Sequence, residues 1–152
     1  MAQAALKEPE IIPQSPNLRR FALGDLTTHG AWIMKRLQTA YPHFNDKYLA
    51  GWLRGMVNSN EYLFICSDNC VALFQMLSVH SLEPKPWVWE RFVFVKEGYE
   101  KDGIECYKRA YDWAKSMGVD RVVVEQLTDV HHELIKEPMG RLFTQQLIFA
   151  RV

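Results

Sequence analysis

The chain has 152 residues, 48% of them hydrophobic, and 18 lysines and arginines balance 18 aspartates and glutamates. That length suits a single domain with a sizeable core and excludes disorder throughout. The even charge excludes a global field that would steer the protein to nucleic acid or to an anionic membrane.

Residues 1–16 read as a tail: Pro9, Pro13 and Pro16 break helix and sheet alike, and the stretch has no periodicity. The apolar pair Ile11-Ile12 inside it is a candidate contact element. The remainder, 17–152, reads as one domain. Leu18 to Leu23 is a short strand, ended by Gly24-Asp25, and Asp25, Thr27 or Thr28 can cap the helix that follows. That helix carries Trp32, Ile33, Leu37 and Tyr41 near helical spacing and stops at Pro42. Asn45 caps a second helix, whose stripe is Tyr48, Leu49, Trp52, Leu53, Met56 and Val57.

Glu61 to Cys66 and Cys70 to Val79 are two strands around Ser67-Asp68-Asn69, which is hairpin turn chemistry. Trp87 to Val95 is the strongest strand, dense in aromatic and β-branched residues. Strict alternation puts Trp87, Trp89, Arg91, Val93 and Val95 on one face and Val88, Glu90, Phe92 and Phe94 on the other. Lys96 to Gly103 is a Gly-containing charged loop. Asp102 can cap a third helix, with Ile104, Tyr107, Ala110, Tyr111 and Ala114 as its stripe and Gly118 as its stop. Val119 to Leu127 is a strand, Thr128 to Lys136 a short helix, and Leu142 to Val152 a last strand. The order is β-α-α-β-β-β-α-β-α-β, an α+β class.

Cys66, Cys70 and Cys106 form no disulfide framework, and no second Cys/His pair completes a zinc site beside the first two, so no metal is expected. No basic, long apolar start marks a signal peptide, and no stretch approaches the ~20 apolar residues that span a bilayer. The expected compartment is a reducing cytoplasm.

The run Trp89-Glu90-Arg91-Phe92-Val93-Phe94-Val95, the loop Lys96-Glu97-Gly98-Tyr99-Glu100-Lys101-Asp102-Gly103-Ile104 and the helix to Met117-Gly118-Val119 together resemble the GNAT (Gcn5-related N-acetyltransferase) family. The element order resembles it along nearly the whole chain after the tail, and Met139-Gly140 before a strand resembles the family's C-terminal ending. The resemblance implies a mixed, mostly antiparallel sheet flanked by helices. It also implies a slot between the strands at Phe94 and Val124, where unpaired backbone groups hold the pantetheine arm of acetyl-CoA. The pyrophosphate would sit at a helix N-terminus, whose dipole favours an anion. Phe94, Val95, Gly98, Lys101, Gly103 and Ile104 are the implied coenzyme contacts. Glu90 is the implied general base toward an amine, and Lys136 stands where the family often has a tyrosine as general acid.

The sequence departs from the family's phosphate loop. Glu100 replaces a basic or amide residue, Glu105 replaces a small one, and only Gly103 fits. Asp102 adds a third carboxylate, and each like-charge pair costs ~1 kcal/mol in water at about 4 Å. Lys96, Lys101 and Lys108 offset part of this. Other candidates have structural alternatives. Glu90 can pair with Arg91, Glu125 can be a strand-end charge, and adjacent His131-His132 point apart on a helix. His29, His43, His80 and Cys106 fit packing roles, and the tryptophans fit core or interface packing.

Two functions therefore stay open. One is an acetyl-CoA-dependent N-acetyltransferase acting on a small or protein amine. The other is a GNAT-shaped assembly or interaction protein with a protein partner, in the host cytoplasm or the virion. This second class is similar to small GNAT-like head-assembly and internal virion proteins of tailed phages.

Overall fold

The computed structural model describes residues 18–78, 86–119, 121–124 and 127–130, and residues 147–149 by backbone alone. The elements run β1 Arg19–Arg20, α1 Asp25–Ala40, α2 Asp46–Met56, β2 Tyr62–Cys66, β3 Cys70–Leu77, β4 Trp87–Val95, α3 Glu100–Ser116, β5 Val122–Val124 and β6 Leu147–Phe149. They build one six-stranded sheet in the order β1-β2-β3-β4-β5-β6. The first three pairings are antiparallel; β4 with β5 and β5 with β6 are parallel. This is the mixed, mostly antiparallel α+β architecture expected.

Local chemistry sets several boundaries. The Asn45 side chain accepts the Tyr48 N–H at 2.8 Å and opens α2, as its sequence position predicts. Asp25 acts differently from the expected cap: it is the first residue of α1 and reaches back to accept the Ala22 N–H at 2.8 Å. The β2–β3 hairpin closes around Ser67-Asp68-Asn69, with the Ser67 N–H donating to the Cys70 carbonyl at 2.9 Å. Gly118 ends the α3 turn at φ +73°, a conformation that a side chain would strain.

The helices divide between the two faces of the sheet. On one, α1 and α2 bury Ile33, Leu37, Leu49 and Leu53 against Phe21, Phe64, Leu73, Phe92 and Phe94. On the other, α3 buries Tyr107, Ala110 and Ala114 against Ala72, Phe74, Val88, Val93 and Val95. Each face is thus covered by an apolar helix stripe, the condition for a stable layered domain.

Alternation along β4 is interrupted. Leu73 faces Phe92 and the next residue, Phe74, faces Glu90, so Arg91 is the extra residue of a β-bulge. Directly opposed residues share a face. The bulge therefore corrects the strict alternation read from the sequence. Val88 and Glu90 lie on the α3 face with Val93 and Val95, not with Phe92 and Phe94. Trp87 and Trp89 change sides with them.

The expected helix from Thr128 is also corrected at its start. Thr128 forms a parallel bridge to Val93, and Asp129 and Val130 follow as a bend. The rest of that expected helix, 131–136, lies outside the described residues, as does the tail 1–16.

Candidate functional site

The implied coenzyme slot lies between the C-terminal half of β4 and the chain leaving β5. The two strands pair at Val88–Val122 and Trp89–Val123. The chain then returns to β4 at Val93–Thr128, having spent one residue more than β4 over the same interval. The Val93 N–H donates to the Leu127 carbonyl at 2.9 Å, and the Val93 carbonyl accepts the Asp129 N–H at 2.8 Å. The Val95 N–H donates to the Asp129 carboxylate, also at 2.8 Å. These are the backbone groups that an open slot would leave for a ligand, and the chain itself satisfies them.

The segment 127–130 is held from both layers. From the α1 side, the Arg36 guanidinium makes a two-pronged ion pair with Asp129, one contact at 2.6 Å to Oδ2 and the other to Oδ1. Two parallel charge-assisted bonds are the strong geometry for this pair, and they raise the Arg36 pKa. The same guanidinium lies 4.4 Å from the Phe94 ring centroid. From the α3 side, the Tyr107 hydroxyl donates to Thr128 Oγ1 at 2.7 Å. Burial, and then the Glu90 carboxylate, push the Tyr107 hydroxyl well above its ordinary range, so it stays a donor.

Val130 completes the closure. It is buried, and a Cβ built on Gly103 would meet its Cγ2 at 2.3 Å and Val95 Cγ2 at 2.8 Å. Gly103 lets the N-terminal turns of α3 approach this close, but the space is taken by Val130. The first turn of α3 carries Glu100 and Asp102, and the Asp102 carboxylate accepts Ser67 Oγ–H at 3.1 Å. Acids there already use the favourable end of the helix dipole. Coenzyme A does not fit these residues as they stand. Its arm meets satisfied backbone, its approach to Gly103 meets Val130, and its diphosphate would meet two carboxylates.

The other sequence candidates fall as follows. Phe94 is buried beneath Arg36, and Val95 lines the α3 side beside Gly103. Gly98 occupies a turn at φ +89°, Lys101 is exposed in the first turn of α3, and Ile104 is half-buried. Glu90 is fully buried on the α3 face, on the side of Tyr107. Lys136, Glu125 and His131-His132 lie outside the described residues. The structure thus gathers Phe94, Val95 and Gly103 at one place. Around them it adds Arg36, Tyr107, Thr128, Asp129 and Val130, which the sequence reading did not single out for this site.

A second polar cluster joins Asp25, His29 and Cys66, all buried, with potential ligand atoms within 4.8 Å of one another. Asp25 and one nitrogen of His29 already have partners, while His29 Nε2 is buried without one among the described residues. Asp25 takes two 2.6 Å bonds from Arg19, which hold its pKa at about 2. His29 Nδ1 accepts the Trp32 indole N–H at 3.1 Å, and burial pushes the Cys66 thiol up to about 12. A cation there would compete with the Arg19 guanidinium for the Asp25 carboxylate.

No protein-family model and no curated protein matches the chain. Solved structures do. Aminoglycoside antibiotic 6'-N-acetyltransferase AAC(6')-IG from Acinetobacter haemolyticus superposes with a TM-score of 0.55 at 14% identity, covering 90% of this chain and 94% of that one. AAC(6')-Ih from Acinetobacter baumannii gives 0.54 at 15%, covering 90% and 93%. AAC(6')-Iy in complex with CoA gives 0.53 at 13%, covering 93% and 99%. At these identities the likeness establishes the fold alone, that of the GNAT acetyltransferases.

Proposed function

We propose that this chain is a GNAT-fold protein whose acyl-coenzyme slot is closed by its own residues 127–130, and that it serves as a binding or assembly component rather than as an acyltransferase. One observation carries the reading: the Val93 and Val95 backbone groups are bonded to Leu127 and Asp129. The Arg36 and Tyr107 contacts support it, because they hold the segment from opposite layers. The acidic first turn of α3 supports it independently, since it opposes a diphosphate even where the segment is displaced. The resemblance to small phage assembly proteins fits the same class, with a protein partner in place of a substrate.

The test is a thermal-shift titration of the full chain with acetyl-CoA. The expected result is no rise in Tm at about 1 mM, because a ligand at a hundred times its Kd stabilises by ~2.7 kcal/mol and would be plain. A saturable rise overturns the reading in favour of the alternative, an acetyl-CoA-dependent N-acetyltransferase in which 127–130 withdraws. The fold shared with N-acetyltransferases favours that alternative. Glu90 and Lys136 are its candidate base and acid toward an amine, and Glu90 would need a path for a proton out of its buried position.

A further inference from the structure

The β4 bulge has a second consequence, on the α1–α2 face. A cavity of about 230 Å³ lies where the end of α1, the connection to α2 and the α2 helix meet β4. Its walls are Tyr41, Phe44, Tyr48, Leu49, Trp52 and Arg91. Three of the rings are unusually open for their size: Tyr41 is 37%, Phe44 45% and Tyr48 64% exposed. They stand in sequence, Tyr41 against Phe44 at 5.6 Å and Phe44 against Tyr48 at 5.2 Å. Trp52 is fixed edge-on against Phe92 at 6.4 Å, so that wall is anchored in the core.

Arg91 is in this cavity because of the bulge, which turns the extra residue onto the face of Phe92. It is half-buried, and among the described residues it forms no ion pair. Its charge acts on Tyr62, where Glu61 opposes it. None of the six wall residues is acidic. An arginine at the wall of a cavity lined by flat rings, with no carboxylate partner among the described residues, is complementary to a planar group that carries an anion: the ring stacks, and the anion takes the two-pronged fork. The volume is below the ~300 Å³ at which drug-sized pockets begin, and so admits one ring with its acid. We infer that this cavity binds a small aromatic carboxylate, with Arg91 on the carboxylate and Tyr48, Phe44 and Trp52 around the ring. The inference does not depend on the state of the coenzyme slot.

The experiment titrates the ¹⁵N-labelled full chain with phenylacetate and follows the Trp52 indole N–H cross-peak, with 2-phenylacetamide and phenethylamine as matched neutral and cationic probes. Phenylacetate is expected to shift that peak saturably in the millimolar range. The amide should bind at least about tenfold more weakly and the amine not measurably, as loss of a charge-assisted fork requires. Arg91→Gln should weaken phenylacetate about tenfold with the amide spectrum otherwise unchanged, and Arg91→Lys should recover part of the affinity. Three probes of equal affinity, an Arg91→Gln protein that binds phenylacetate as well as the parent, or no saturation by about 20 mM would each overturn the proposal. An acetyl-CoA response, present or absent, leaves all of these outcomes readable.

Discussion

Asp25 and Asp129 show how much one carboxylate can organise. Asp129 accepts from the Val95 N–H and from both prongs of Arg36, and so ties its segment to β4 and to α1 at once. Asp25 accepts from Ala22 N–H and twice from Arg19, and ties β1 to the first turn of α1. The hydrogen bonds from Arg19 hold its pKa at about 2, below the ordinary 3.8, while burial works the other way. A folded-state pKa lowered in this manner means that ionised Asp25 stabilises the fold above about pH 4. That stabilisation is lost as pH falls toward 2. Arg19 is half exposed, with its side chain 51% accessible, so water screens part of the pairing and the effect is correspondingly modest. Urea unfolding between pH 5 and pH 2 should therefore fall less steeply for Asp25→Asn than for the parent. Identical slopes would mean that Asp25 does not carry this part of the acid sensitivity.

At the scale of elements, the contact between α3 and the returning chain is unusually close. Gly103 leaves no room for a methyl group: Val130 Cγ2 and Val95 Cγ2 occupy the place a Cβ would take. Gly103→Ala should cost about 1–3 kcal/mol, the usual penalty of overpacking, even though alanine is the better helix former. Val130→Ala removes the nearer of the two methyl neighbours, so the Gly103→Ala/Val130→Ala double variant should be more stable than the sum of the single costs predicts. Strict additivity in denaturant titrations would place Val130 elsewhere in solution and reopen the slot.

Elements whose causes are local were legible in the sequence. The Asn45 cap, the Ser67-Asp68-Asn69 turn and the span of β4 all rest on neighbouring residues. The bulge at Arg91 was not, because β4 carries apolar or aromatic residues on both faces on either side of Glu90-Arg91, and its pattern fits either phase. Nor was the closure. Thr128 to Lys136 reads as a short helix, and only pairing with Val93 makes Thr128 strand-like. The partners that define the candidate site, Arg36 and Asp129, lie 93 residues apart, beyond what local spacing can relate. The resemblance singled out Phe94, Val95 and Gly103, which the structure brings near one another, but carried no information on Arg36, Thr128, Asp129 or Val130 beside them.

Across the whole molecule, residues 127–130 join the two layers. Arg36 belongs to α1 on one face and Tyr107 to α3 on the other, and both bond the same four-residue segment at the edge of β4. Two separate barriers then oppose a coenzyme, the occupied backbone and the acidic turn at Glu100 and Asp102, and they can be removed one at a time. Asp129→Ala should release the Arg36 latch and leave the Val95 N–H without its acceptor, at about 1–3 kcal/mol. In hydrogen exchange the Val95 amide should lose protection, while that of Ala72 in the middle of the sheet keeps it, because local opening need not reach the central strands. Acetyl-CoA should still give no thermal shift with this variant, since the carboxylates of the α3 turn remain. If Asp129→Ala instead gains a saturable response to acetyl-CoA, the latch was the only barrier, and the molecule is an N-acetyltransferase held shut rather than a fold put to another use.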